Sequence, residues 1–154
     1  MIPANNPSLK SWVEVPANSD FPIQNIPFGV FKTDQLSPRV GTRIGNQVVD
    51  LKTLFTLGYL ENLPFVLEDF ASDALNNMLR HGKKGVRDLR NRLSKLFDAN
   101  FPDLQKNEHH VHQVLIEADL VEMLLPAQIG DYTDFYSSRE HATNVGTMFR
   151  DPNN

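Results

Sequence analysis

Crowded prolines limit what the start of this chain can fold into. Pro3, Pro7, Pro16, Pro22, Pro27 and Pro38 all fall within the first 38 residues. Each fixes φ and removes a backbone donor, so long helices are excluded there and short extended segments are expected. Between the prolines lie brief apolar bursts, Trp12-Val13-Glu14-Val15 and Phe28-Gly29-Val30-Phe31. The stretch Arg39–Leu51 carries the clearest local signal. Val40, Thr42 and Ile44 alternate, Gly45-Asn46 supplies residues that tolerate positive φ, and Val48-Val49 resumes beyond. Two such runs around a Gly-Asn pair predict a tight hairpin. Short strands joined this way predict a small barrel or curled sheet.

The period then changes. Leu75, Met78 and Leu79 predict a helix over Ala71–Arg80, with Ser72 or Asp73 as cap and His81-Gly82 as stop. Val86, Leu89, Leu93, Leu96 and Phe97 predict a second helix from Gly85 to Ala99. Arg87, Asp88, Arg90, Arg92 and Lys95 lie largely off that stripe and read as a solvated face. Val114–Leu125 is a short apolar helix or strand ending at Pro126. The run from Ile129 to Ser138 is aromatic and acidic with no core period. It feeds a helix over Arg139–Arg150, for which Ser137 and Glu140 fit a capping box.

The 154 residues carry 15 Lys+Arg against 19 Asp+Glu, a formal charge of −4, which argues against bulk nucleic-acid binding. Cysteine is absent, excluding disulfide scaffolds, thiolate metal sites and cysteine nucleophiles. No apolar stretch is long enough for a membrane span, and Met1–Lys10 lacks the run of a secretory signal. The expected compartment is therefore the cytoplasm.

Three clusters carry candidate chemistry. Glu108-His109-His110-Val111-His112 lacks the i, i+4 histidine spacing of helical zinc sites, and a solvated histidine cluster is the simpler reading. Ser137 or Ser138, His141 and Asp134 include the residue types of a nucleophilic triad, without the small-residue elbow that exposes a catalytic serine. Helix capping accounts for both serines. Asp134 and His141 form the third cluster. A carboxylate suits Ca²⁺ or Mg²⁺, and an imidazole can act as a general base near neutral pH. On spacing alone, a structural Asp–His contact is the simpler reading.

Two segments resemble a known family. Asp20-Phe21-Pro22-Ile23-Gln24-Asn25-Ile26-Pro27-Phe28-Gly29-Val30-Phe31 resembles the opening of fumarylacetoacetases. Ile129-Gly130-Asp131-Tyr132-Thr133-Asp134-Phe135-Tyr136-Ser137-Ser138-Arg139-Glu140-His141-Ala142-Thr143-Asn144-Val145-Gly146 is similar to that family's first active-site segment almost letter for letter. The likeness includes the Gly45-Asn46 hairpin and extends to Arg150. It implies an α+β, β-rich fold. Residues 1–125 would form a small SH3-like barrel with added helices, and 126–154 the start of a β-rich catalytic domain continuing past Asn154.

The resemblance also implies an activity, hydrolysis of a carbon–carbon bond in fumarylacetoacetate to fumarate and acetoacetate in tyrosine and phenylalanine catabolism. It implies His141 as general base, Asp134 as one ligand of Ca²⁺ or Mg²⁺, Tyr136 and Arg150 as substrate-binding residues, and a homodimeric full-length enzyme. The other metal ligands and the groups that stabilise the leaving carbanion would lie downstream, so the chain alone is expected to be inactive. The alternative is a non-catalytic SH3-like interaction or regulatory module that associates with a full-length enzyme. With the downstream strands missing, Phe135, Val145, Met148 and Phe149 would lack their packing partners, leaving the last 25 or so residues frayed, misplaced or buried in a self-associated dimer.

Overall fold

A computed structural model describes residues 2–151. Its centre is a five-stranded, wholly antiparallel sheet formed by β1 (Phe28–Lys32), β2 (Arg39–Ile44), β3 (Gln47–Asp50), β4 (Leu115–Glu117) and β5 (Glu122–Leu124). The strand order is β4-β3-β2-β1-β5, so two strands distant in sequence close the two edges. A 3₁₀ turn at Ala118–Leu120 carries the chain from β4 to β5. The architecture is mixed α/β with a curled half-barrel, and its helices occupy more of the chain than the β-rich expectation allowed.

The β2–β3 hairpin forms as expected. Ile44 pairs with Gln47 across the loop Gly45-Asn46, and Gly45 has φ +56°. A Cβ there would collide with the Glu14 carbonyl, so glycine is required on two counts. Trp12–Val15 does not form a strand. Ser11 makes one isolated bridge to Asp98, Trp12 N–H donates to Phe97 O (3.1 Å), and the Trp12 indole stacks on Phe97 at 5.4 Å.

Asp50 ends β3 and starts α1 (Leu51–Thr56), a helix not foreseen in the sequence. Its carboxylate accepts from Thr53 N–H (3.0 Å) and Thr53 Oγ1–H (2.8 Å) while pairing with Arg39 at 3.1 Å. Both charged side chains are buried, and Arg39 donates further to Ser37 O (2.9 Å).

Of the helix expected over Ala71–Arg80 only one short turn forms, α3 (Asn76–Leu79), and another short helix, α2 (Leu67–Phe70), precedes the expected range. Ser72 Oγ takes the Ala74 N–H (3.2 Å) and Pro126 O takes the Leu75 N–H (2.8 Å), so these amides are satisfied outside any helix. The second expected helix is α4, Gly82–Phe97. It starts at Gly82, in the left-handed region at φ +66°, and ends where Asp98 turns extended and Ala99 N–H bonds Lys10 O (2.8 Å).

Leu89, Leu93, Leu96 and Phe97 are fully buried on one stripe, joining Val30, Val40, Val49, Leu54 and Phe70 in one core. The basic face of α4 is not simply solvated. Arg90 donates to Asn5 Oδ1 (2.6 Å) and Gln24 O, and Arg92 Nε to Tyr59 O (2.8 Å), so both arginines staple loops to the helix.

α5 (Glu108–Val114) precedes β4 and contains the histidine cluster. After β5 the chain is tied to the body at Pro126 and at Gln128, where Gln128 N–H donates to Asn76 Oδ1 (2.9 Å) and Asn76 Nδ2–H to Gln128 O (2.9 Å). Beyond them the chain runs exposed into α6 (Arg139–Phe149), which buries no residue. Among the described residues, no helix is long and apolar enough to cross a membrane.

Candidate active site

The candidate residues sit on the segment farthest from the core. Ser138, extended at φ −113°, caps α6 by accepting from His141 N–H (3.2 Å). Ser138 rather than Ser137 is therefore the cap. Its hydroxyl also donates to Glu140 (3.1 Å). The Glu140 backbone N–H, then the Ser138 hydroxyl, hold the Glu140 carboxyl below its usual pKa range.

His141 lies in the first turn of α6, and its ring approaches that of Tyr136 with centroids 5.2 Å apart. Tyr136 and His141 are thus brought together. Asp134 makes no hydrogen bond to His141 among the described residues, so the structural Asp–His contact is not present. Arg150 is the extended C-cap at the other end of α6. With 1.5 Å of rise per residue, it stands roughly 13 Å along the axis from His141. Phe135 and Phe149 are 76% and 82% exposed, so neither packs against the sheet.

A hard divalent ion needs about six to eight converging oxygens. Among the described residues, no group of three or more His, Asp or Glu comes together to hold a metal. Asp134 is one carboxylate on an exposed extended run and does not form a site with its present neighbours. Among the described residues, neither Ser137 nor Ser138 hydrogen-bonds the His141 ring, and Ser138 is engaged as the helix cap.

The histidines of α5 do not converge on one point. His110 Nδ1 pairs with the Tyr59 hydroxyl at 2.8 Å, while His109 and His112 stand on the helix surface. Burial first, and the negative charge of Asp103 second, raise the Tyr59 pKa. An Asp–His pair does form elsewhere, between residues the sequence analysis did not connect. Buried Asp69 accepts from His81 Nε2 (2.8 Å) and Val66 N–H (2.9 Å), and the His81 ring lies 4.5 Å from Phe65. The Val66-to-Asp69 capping spacing was the only local signal. The partnership with His81 depends on the turn from α3 into α4.

A curled antiparallel sheet flanked by helices, followed by an exposed segment bearing His, Asp, Tyr and Arg, defines an α/β domain with catalytic residue types outside its core. Residues 24–126 match the family described as Fumarylacetoacetase N-terminal, and the chain belongs to that family. It is 41% identical over 147 residues to a fumarylacetoacetase of Dictyostelium discoideum, covering 95% of this chain and 34% of the relative. Its identity to a fumarylacetoacetase of Caenorhabditis elegans is 42%, covering 95% and 35%. With one of Homo sapiens it is 42% over 148 residues, covering 94% and 35%. The chain spans about a third of the length of the curated relatives it matches.

Proposed function

We propose that this chain supplies the N-terminal part of a fumarylacetoacetase, the enzyme that adds water across a carbon–carbon bond of fumarylacetoacetate to yield fumarate and acetoacetate. Residues 1–125 are read as an SH3-like domain, a reading supported by the strand order and the 3₁₀ turn between β4 and β5. Residues 126–154 are read as the opening of the catalytic domain.

In this reading His141 takes a proton from water, whose oxygen attacks the carbonyl; the carbon–carbon bond then breaks with its electron pair going to the acetoacetate carbon, which takes up the proton that water gave up. Tyr136 and Arg150 bind substrate oxygens, the guanidinium being suited to a carboxylate. Asp134 contributes one oxygen to a Ca²⁺ or Mg²⁺ site that needs further carboxylates from elsewhere in the full-length enzyme. That enzyme is proposed to be a cytoplasmic homodimer.

The observation that carries the proposal is the exposure of this lettered segment on a helix with no buried face, in a chain a third the length of its relatives. Purified chain should yield no acetoacetate from fumarylacetoacetate. Robust turnover would refute the view that the site is incomplete. A chimera joining this chain to the remaining two-thirds of the Homo sapiens relative should be active. In that chimera, His141→Ala should cost about 10²–10⁴-fold in kcat. An unaffected His141→Ala chimera would remove His141 from the chemistry.

The non-catalytic alternative draws on a different observation. Leu120, Met123, Leu125 and Ile129 expose a run of apolar side chains beside β5. Co-purification with a full-length fumarylacetoacetase, combined with an inactive chimera, would favour this reading.

A further inference from the structure

The sheet has two unequal faces. Val30, Val40, Ile44 and Val49 point into the main core, while Phe31 and Val48 are buried on the opposite, inner face of the curl, outside that core. Gly29 and Gly41 are cross-strand partners on this inner face, so two side chains are missing side by side. A Cβ at Gly41 would meet the Phe31 ring at 2.7 Å, and one at Gly29 would meet the Met123 terminal carbon at 2.9 Å. Phe31 and Met123 therefore fold over the glycines. Between them and Phe21, Phe28, Val48 and Val121 lies a cavity of about 270 Å³ at the mouth of the half-barrel. Barrel mouths are common ligand sites.

The polar groups in its wall are few. Thr42 is already satisfied, donating its hydroxyl proton to Pro27 O (2.7 Å). Among the described residues, Arg43 is the one charged side chain in the wall. Its Nε donates to Gly45 O (2.9 Å), and its guanidinium carbon stands 4.1 Å from the Phe21 ring centroid. Among the described residues, neither of its terminal nitrogens has a protein partner. A guanidinium fixed from one side and backed by a ring presents two parallel N–H groups, the fork that matches a carboxylate. An apolar cavity of about 150 Å³ holds benzene, so this one has room for a ring with a short substituent.

The geometry points to a binding site for a small aromatic monocarboxylate, its ring in the cavity and its carboxylate on Arg43. The site shares no residue with the segment 129–151 and does not depend on the catalytic reading.

Titrating the intact chain with 4-methylbenzoate, and separately with 4-methylbenzylamine, tests this by NMR. The acid should shift the Gly29 and Gly41 amides and the Val48, Val121 and Met123 methyls saturably, and the amine should not. Arg43→Gln should weaken the acid about tenfold, the value of one charge-assisted contact. Ala118→Leu, which fills the cavity while leaving Arg43 in place, should abolish the shifts. Equal binding of the amine, undiminished binding by Arg43→Gln, or shifts mapping elsewhere would overturn the proposal. So would concentration-dependent broadening of these residues that the acid leaves unchanged, because a second copy would then occupy the face.

Discussion

The body up to Gln128 and the segment from residue 129 to 151 obey different physics. In the body, α4 places Leu89, Leu93, Leu96 and Phe97 at full burial. In the segment, α6 carries Met148 and Phe149 exposed, and its first turn is capped by Ser138. Both helices carry apolar residues at helical spacing, but only α4 buries them. Most helical stability in proteins comes from tertiary burial of one face, so α6 lacks what makes α4 permanent. The candidate residues Asp134, Tyr136, His141 and Arg150 lie on the exposed segment.

The largest expected break in the comparison is at Asp50. Asp50→Ala removes the partner of buried Arg39 and the cap of α1 together, and should cost about 3–5 kcal/mol in urea denaturation. Leu93→Ala should cost about 2–5 kcal/mol through lost burial and the cavity left behind. The matching change in the segment, Phe149→Ala, should stay within about 0.5 kcal/mol in the same melt. A cost at Phe149 like that at Leu93 would erase the distinction between the regions.

Ser138→Ala sharpens it further. It should destabilise α6 by about 1 kcal/mol, seen in the ¹³Cα shifts of its first turn, with the urea midpoint of the body unchanged.

The smallest effect is in pH. The Glu140 carboxyl is held below its ordinary value by its backbone N–H and the Ser138 hydroxyl. Its contribution is therefore present above the ordinary Glu range and lost as pH falls through the lowered folded value. The first turn of α6 should lose helical shift on acidification below about pH 4.5. This loss should shrink but persist in Ser138→Ala, because the Glu140 backbone N–H, the larger cause, remains.

How much was legible beforehand depends on how local each cause is. The β2–β3 hairpin was readable because Gly45 and the alternating residues around it lie within a few positions. α4 was readable because its apolar stripe is long. The break between α2 and α3 was not, because the Leu75 amide is taken by Pro126, far along the chain. β4 and β5 span three residues each and exist by pairing with β3 and β1. The arginines of α4 read as solvated until Asn5, Gln24 and Tyr59 came against them. For the candidate site, the letters Asp134, Tyr136, His141 and Arg150 were visible through family likeness. The distance that α6 puts between His141 and Arg150 was not, since it depends on where the helix starts and stops.

Residue-resolved amide hydrogen exchange on the intact chain tests the central division most directly. Amides of Val30, Val40 and Val49 should be protected to near the global unfolding free energy, while those of residues 139–150 should exchange with at most a few-fold protection. Equal protection in both regions would mean that α6 is part of the body, and that the candidate residues are already held in place.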